Sequence, residues 1–282
     1  MTEFCWYNKS ISLSKKFMIK IDSLENKTVK DLVRLQKAGT RKKQGLIVID
    51  GAREIELAVK FGLKIEKLFY CPDLPRGNNP GAAKFFGIAA EKIIEVSRPV
   101  FKKICYKENP DGFLAVAVKP SGMILADFKP SKNPLIIVLE NVEKPGNLGA
   151  ILRTAYAVGA AAIIINDSQT DIYNPNVIRA SEGYVFAQKI IKVSAGETIK
   201  WLKKNKIKSF GAASRGTKNY FKTDLSGAAA IILGSEADGL SSEWLKGADS
   251  LIKITMAAGM DSLNVSVAAA VILFEAVRQR GI

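Results

Sequence analysis

Apolar positions between residues 18 and 118 alternate between helical and strand spacing. Asn26 precedes Val29, Leu32 and Val33, which share one helical face, so the pattern predicts a capped helix ending near Gly39. A cationic turn, Arg41-Lys42-Lys43-Gln44-Gly45, comes next. Residues 46–49 form a short apolar strand, and Gly51 leads into a helix with Ile55, Ala58 and Val59 on one face, stopped at Gly62. Residues 65–70, 93–96 and 113–118 add strands, while the Pro, Gly and Asn of 72–81 mark a loop. Residues 1–17 precede this small α/β unit as a disordered tail or an over-long start, and Met18 opens the regular stretch.

Pro120, Gly122, Pro130 and Pro134 make 119–134 the expected linker to a second domain, 135–282. There, apolar runs at 135–139, 161–165, 209–212, 229–233 and 251–254 alternate with helical patterns. Runs without polar alternation belong to strands buried on both faces, which predicts a parallel sheet covered by helices. The most apolar run, 265–277, is broken by Ser266 and Glu275. A bilayer span needs about 20 residues, so this run reads as a helix buried in the core or in a subunit interface.

Composition sharpens the picture at two points. Lys plus Arg number 42 against 27 Asp plus Glu, a net of +15. The excess is uneven, +11 over residues 1–132 and +4 over 133–282. A basic domain joined to a near-neutral one suggests a module that grips a polyanion beside another function. Arg34, Arg41, Lys42 and Lys43 are its candidate phosphate contacts. Histidine is absent, which removes Ser-His and Cys-His nucleophilic catalysis and His-ligated metals together. Cys5, Cys71 and Cys105 are far apart with no CxxC pair, so no metal site is expected and a reduced, cytoplasmic setting fits.

Ligands of open parallel sheets bind in loops at the carboxyl ends of strands, and three such loops stand out. The first, after 135–139, has Pro145 and Gly146 as its turn, Asn147 as a residue able to cap the next helix, and Arg153 six positions on. The second, after 229–233, reads Gly234-Ser235-Glu236-Ala237-Asp238-Gly239-Leu240. Its glycines permit close backbone approach to a ligand. Its two carboxylates disfavour phosphate and suit ammonium, sulfonium or hydroxyl groups. Neither GxGxxG nor GxxxxGK[ST] occurs anywhere. The third runs from Thr255 through Met256 and the small apolar residues after it to Ser262, Leu263, Asn264 and Ser266, with Ser262 or Asn264 able to cap the last helix.

Taken in order, these loops resemble the motifs of the SpoU/TrmH family of SPOUT-class RNA ribose methyltransferases: Asn147 to Thr154, Gly234 to Leu240, then Ile254, Met256 and Ser262 to Ser266. Residues 174–183 resemble the family's middle helix. The first domain is similar, more loosely, to a ribosomal-protein-like module of the L30e/L7Ae type, best at 41–51. The resemblance implies transfer of the methyl of S-adenosylmethionine to a ribose 2′-hydroxyl of RNA, ribosomal RNA ahead of transfer RNA. DNA is not an implied partner, nor is a metal. It further implies a trefoil knot at the end of the chain and a homodimer with the active site near its interface. By position, Leu233, Gly234, Ile254, Met256 and Leu263 would hold S-adenosylmethionine, and Asn147, Arg153, Glu236, Ser262 and Asn264 would surround the methyl and the ribose. The family view makes Arg153 the base. An arginine is normally always protonated, so the physical reading gives Arg153 a bidentate grip on the adjacent phosphate, with the proton leaving through Ser262, Glu236 or water. Two departures stand beside the motifs: Thr255 where the family has proline, and Lys144 where an acidic residue is common. Alternatives in other classes are an RNA binder that has lost catalysis, a base methyltransferase, and an unrelated α/β enzyme acting on a small cationic metabolite.

Overall fold

The computed structural model describes residues 19–77, 86–167, 170–258, 260 and 262–281. The expected tail 1–17, part of the loop 72–81, and Gly259 and Asp261 of the third loop lie outside the described residues. The chain divides between Lys119 and Pro120 into two units.

The first unit is built on a five-stranded sheet of order β1-β4-β3-β5-β2. The strands are β1 (Ile19–Ile21), β2 (Leu46–Asp50), β3 (Ile65–Tyr70), β4 (Ile93–Val96) and β5 (Phe113–Val118). β1, β4 and β3 run parallel, and β5 lies antiparallel between β3 and β2. The helix expected from Asn26 begins as read, with Asn26 Oδ1 accepting from Thr28 N at 2.8 Å. It ends earlier than expected, as α1 (Lys27–Leu35), and buries Val29, Leu32 and Leu35. The expected cationic turn is instead a second helix, α2 (Ala38–Gln44), stopped by Gly45 at φ 63°. Gly45 takes the left-handed conformation that commonly closes a helix. α3 (Ala52–Lys60) matches the third pattern, whereas β1 and α4 (Arg98–Ile104) had no periodic signal long enough to read.

The second unit holds a seven-stranded, wholly parallel sheet of order β10-β12-β9-β11-β6-β7-β8. Five strands match the apolar runs: β6 (Leu135–Glu140), β7 (Ala162–Asn166), β9 (Lys208–Ala212), β11 (Ala229–Leu233) and β12 (Ser250–Lys253). β8 (Ile190–Lys192) and β10 (Lys218–Asn219), three and two residues long, are the edges and carry too few residues to show a period. Every residue of β6, β7 and β11 is buried, as strands covered on both faces require. α5 (Pro145–Ala157), α6 (Pro175–Ala180), α7 (Ala195–Lys204), α8 (Ser242–Gly247) and α9 (Val265–Arg280) complete the unit. α9 packs on α5 and β11. Within the expected linker 119–134, Met123 bridges to Ile191 and Phe128 is buried and stacked on Trp201 at 5.7 Å, so 123–128 pack onto the second unit.

Candidate functional site

Because the second sheet is wholly parallel, β6, β11 and β12 all point their carboxyl ends to one edge, and the three motif loops emerge there. The order reverses between β6 and β11. Sequence-consecutive β6, β7 and β8 run one way, and the later strands lie on the other side. Such a reversal opens a crevice where ligands of open α/β sheets bind.

In the first loop Pro145 occupies the first helical turn, where a missing N–H costs nothing. Lys144, not Asn147, is the N-cap residue of α5, and it makes no side-chain cap. The capping reading of Asn147 is therefore corrected: the residue lies inside the first turn, and its side chain is spent elsewhere. Its Nδ2 donates to Glu236 Oε1 at 2.5 Å, and its Oδ1 accepts from Asn264 Nδ2 at 3.1 Å. Gly149 has a packing reason. A Cβ there would stand 2.5 Å from Ala180 Cβ and 2.8 Å from Val177 O, so α5 and α6 meet only without it.

The second loop is a tight turn closed on itself. Ser235 N donates to Gly239 O at 3.0 Å, Gly239 N to Ser235 O at 3.1 Å, and Asp238 N to Ser235 Oγ at 2.9 Å. A Cβ on Gly234 would come within 2.2 Å of the Gly239 carbonyl. The close backbone approach expected at Gly234 is thus made first by its own loop. Leu233 and Gly234 are buried, Glu236 half-buried and Asp238 exposed. Beneath the loop, Ser241 N donates to Glu140 Oε2 at 2.8 Å, tying the turn to the end of β6.

In the third loop Ile254, Met256 and Leu263 are half-buried, and Thr255, Ser262 and Asn264 are exposed. Asn264 does cap α9: its Oδ1 accepts from Ser266 N at 2.9 Å and Ser266 Oγ at 2.7 Å. Its Nδ2 is left to reach Asn147. One hydrogen-bonded chain, Asn264–Asn147–Glu236, therefore joins all three loops.

Two expected site residues stand outside that chain among the described residues. Ser262 makes no hydrogen bond to it, and Arg153 Nη1 pairs with Glu182 Oε1 at 2.5 Å. Glu182, the partner of Arg153, was not among the expected site residues, although it lies in the segment 174–183 already singled out. It has φ 50°, a left-handed conformation uncommon for such a side chain and a signal only coordinates give. Of the candidate phosphate contacts, Lys42 and Lys43 are exposed, and Arg34 is largely exposed beside Asp31. Arg41 is corrected. It is 2% exposed, and its Nη1 donates to Leu35 O at 3.0 Å and Gln36 O at 2.7 Å, closing the end of α1. No cluster of three or more His, Cys, Asp or Glu able to hold a metal occurs among the described residues. Nor is any described helix long and apolar enough to cross a membrane.

The site offers one carboxylate held by an amide, half-buried aliphatic and thioether side chains, and strand-end backbone groups. That set fits a cationic ligand with a flat apolar part, as S-adenosylmethionine is. Comparison with known proteins agrees. The model of the SpoU rRNA Methylase family matches residues 134–274, and that of the MRM3-like substrate binding domain matches 26–115. The chain is 31% identical over 248 residues to a 23S rRNA (uridine(2479)-2'-O)-methyltransferase of Streptomyces viridochromogenes, covering 85% of each. A crystal structure of an RNA 2'-O ribose methyltransferase superposes with TM-score 0.83 at 37% identity, covering 94% of this chain and 100% of that one. The SpoU methyltransferase AviRb from Streptomyces viridochromogenes, in complex with AdoMet, superposes with TM-score 0.81 at 28% identity, covering 91% and 98%.

Proposed function

Since the chain belongs to the SpoU rRNA methylase family, we infer that it methylates RNA on a ribose 2′-hydroxyl with S-adenosylmethionine as donor. The observation that carries this reading is the Asn264–Asn147–Glu236 chain, which makes one site of three loops far apart in sequence. S-adenosylmethionine, when bound, supplies a methyl already activated on a sulfonium. Leu233, Gly234, Ile254, Met256 and Leu263 would hold it. The chain's own task is to align the acceptor oxygen and take its proton. Asn147, fixed from both sides, orients the ribose, and such alignment lowers a barrier by several kcal/mol. Glu236 is the carboxylate nearest that amide. It takes the proton, with Ser262 or water as relay. Arg153 leaves Glu182 to grip the neighbouring phosphate with two parallel hydrogen bonds, which a lysine cannot reproduce.

The substrate is ribosomal RNA, and the relative acting on 23S rRNA supports the large subunit. Arg34, Lys42 and Lys43 of the first unit contact its backbone, and Arg41 is withdrawn from that set. The first unit is of the L30e/L7Ae type. Two chains pair through α9, where Val267 and Phe274 are about half exposed on an otherwise apolar helix. The chain end threads a trefoil knot, in keeping with β12 lying beyond β9 while α9 returns to α5 and β11. The setting is cytoplasmic. The test is transfer of labelled methyl from S-adenosylmethionine to RNA from cells lacking the protein. Label in an alkali-resistant dinucleotide is expected. Label in mononucleotides would instead mean base methylation, and no label would overturn the enzymatic reading.

A further inference from the structure

Resting on that cofactor reading, we propose that Asn219 is a positioning residue for the S-adenosylmethionine loop and acts through Thr255. The segment after β9 turns back along β12. Ala213 N donates to Ile252 O at 2.9 Å and Thr217 N to Leu251 O at 3.2 Å. Gly216 lies so close that a Cβ would stand 2.5 Å from the Ile252 carbonyl carbon, so only glycine lets the segment reach this position. β10 then runs parallel to β12 with Asn219 opposite Lys253, the last residue of that strand. The geometry delivers Asn219 to the point where β12 ends and Ile254, Thr255 and Met256 begin. There Asn219 Nδ2 donates to Thr255 Oγ1 at 2.5 Å. The Asn219 backbone is held in turn, its carbonyl accepting from Thr223 Oγ1 at 2.9 Å.

Two features separate this contact from ordinary packing. Among the described residues Asn219 Oδ1 is buried with no hydrogen-bond partner, and the one side-chain bond of the amide found there goes to the loop. Thr255 stands where the resembled motif has proline. A proline ring restrains the backbone from within, whereas threonine leaves it free, and the bond from Asn219 restrains it from outside. Ile254 and Met256, on either side, are both assigned to the cofactor, so freedom at Thr255 is freedom of two contacts at once. Binding would then have to order what Asn219 now holds in advance, at a cost in affinity.

The experiment is calorimetric titration of S-adenosylmethionine into the full chain and into Asn219→Ala, Thr255→Val, Thr255→Ser and the Asn219→Ala/Thr255→Val pair. Loss of one neutral hydrogen bond should raise the dissociation constant about three- to tenfold in Asn219→Ala and Thr255→Val. Thr255→Ser, which keeps the hydroxyl, should stay near the wild type, and the pair should bind no worse than either single variant. In turnover the loss should fall on KM for the donor more than on kcat, and the melting temperature without ligand should change little. Binding by Asn219→Ala equal to wild type, or additive losses in the pair, would overturn the proposal and leave the enzymatic reading intact. Failure of the wild type itself to bind would overturn both.

Discussion

Asn147 carries most of the meaning of the site in one side chain. Its amide has a carboxylate acceptor on one side and an amide donor on the other. Asn147→Asp therefore sets two carboxylates against each other where Asn147→Ala only empties the position, so the acidic variant should lose at least as much methyl transfer. Comparing kcat/KM of the two checks this; a more active Asp variant would contradict it. Gly149 makes a different prediction. The alanine methyl has no room against Ala180 and the Val177 carbonyl, so Gly149→Ala should cost about 1–3 kcal/mol in urea unfolding, the usual cost of overpacking. The resemblance singled out Asn147, Glu236 and Asn264 from the sequence, and the structure brings these three side chains into one hydrogen-bonded chain. What each side chain does was not legible in the sequence. Capping and bridging use the same Asn chemistry, and only coordinates show that Asn264 does both while Asn147 does one. Arg41 and Lys42 read alike as charges. That one guanidinium turns inward onto the end of α1 depends on Gln36 and Leu35 presenting free carbonyls there.

At the level of elements, strands buried on both faces announced themselves, because unbroken apolar runs at 135–139 and 229–233 have no other comfortable place. Short edges did not: β8 and β10 are below the length at which a period exists, yet β10 brings Asn219 to Thr255 in the loop after β12. α9 was legible as apolar all round, and the structure divides it into a face packed on α5 and one bearing Val267 and Phe274. Phe274→Asp should then give a monomer in analytical ultracentrifugation if α9 pairs two chains, whereas an unchanged mass would remove that interface. The far end of α9 is tied down through Gln279, whose amide accepts from Leu225 N at 2.7 Å and donates to Thr223 O at 2.9 Å. Arg278, and after it Gln279, bond Glu275, and these bonds hold its carboxyl down at about 2. A lowered folded-state value stabilises fully above the ordinary carboxylate range and is lost as pH falls through about 2. Urea unfolding should find Glu275→Gln less stable than wild type at pH 7, with the gap closing toward pH 2.

For the whole molecule, the charge split between the two halves suggested a polyanion-gripping module before any motif was considered, and the chain divides into two units between Lys119 and Pro120. The order of the seven strands was not legible. Nothing in an apolar run says that β11 inserts between β9 and β6, although that insertion brings the second loop beside the first. If phosphates are gripped by the first unit, removing Lys42 and Lys43 should make the dependence of log affinity on log salt shallower, by about one in slope for each phosphate no longer neutralised. Arg41→Ala should instead lower the melting temperature and leave that slope nearly unchanged. The proposed function assigns methylation of a ribose of ribosomal RNA to the three joined loops, and the cell itself offers the plainest test. It is a mass-spectrometric map of 2′-O-methyl nucleotides in ribosomal RNA from cells lacking the protein, complemented with wild type or with Asn147→Ala. One ribose methyl should be missing without the protein, return with the wild type, and stay missing or nearly so with the variant. Identical maps in all three strains would contradict that function.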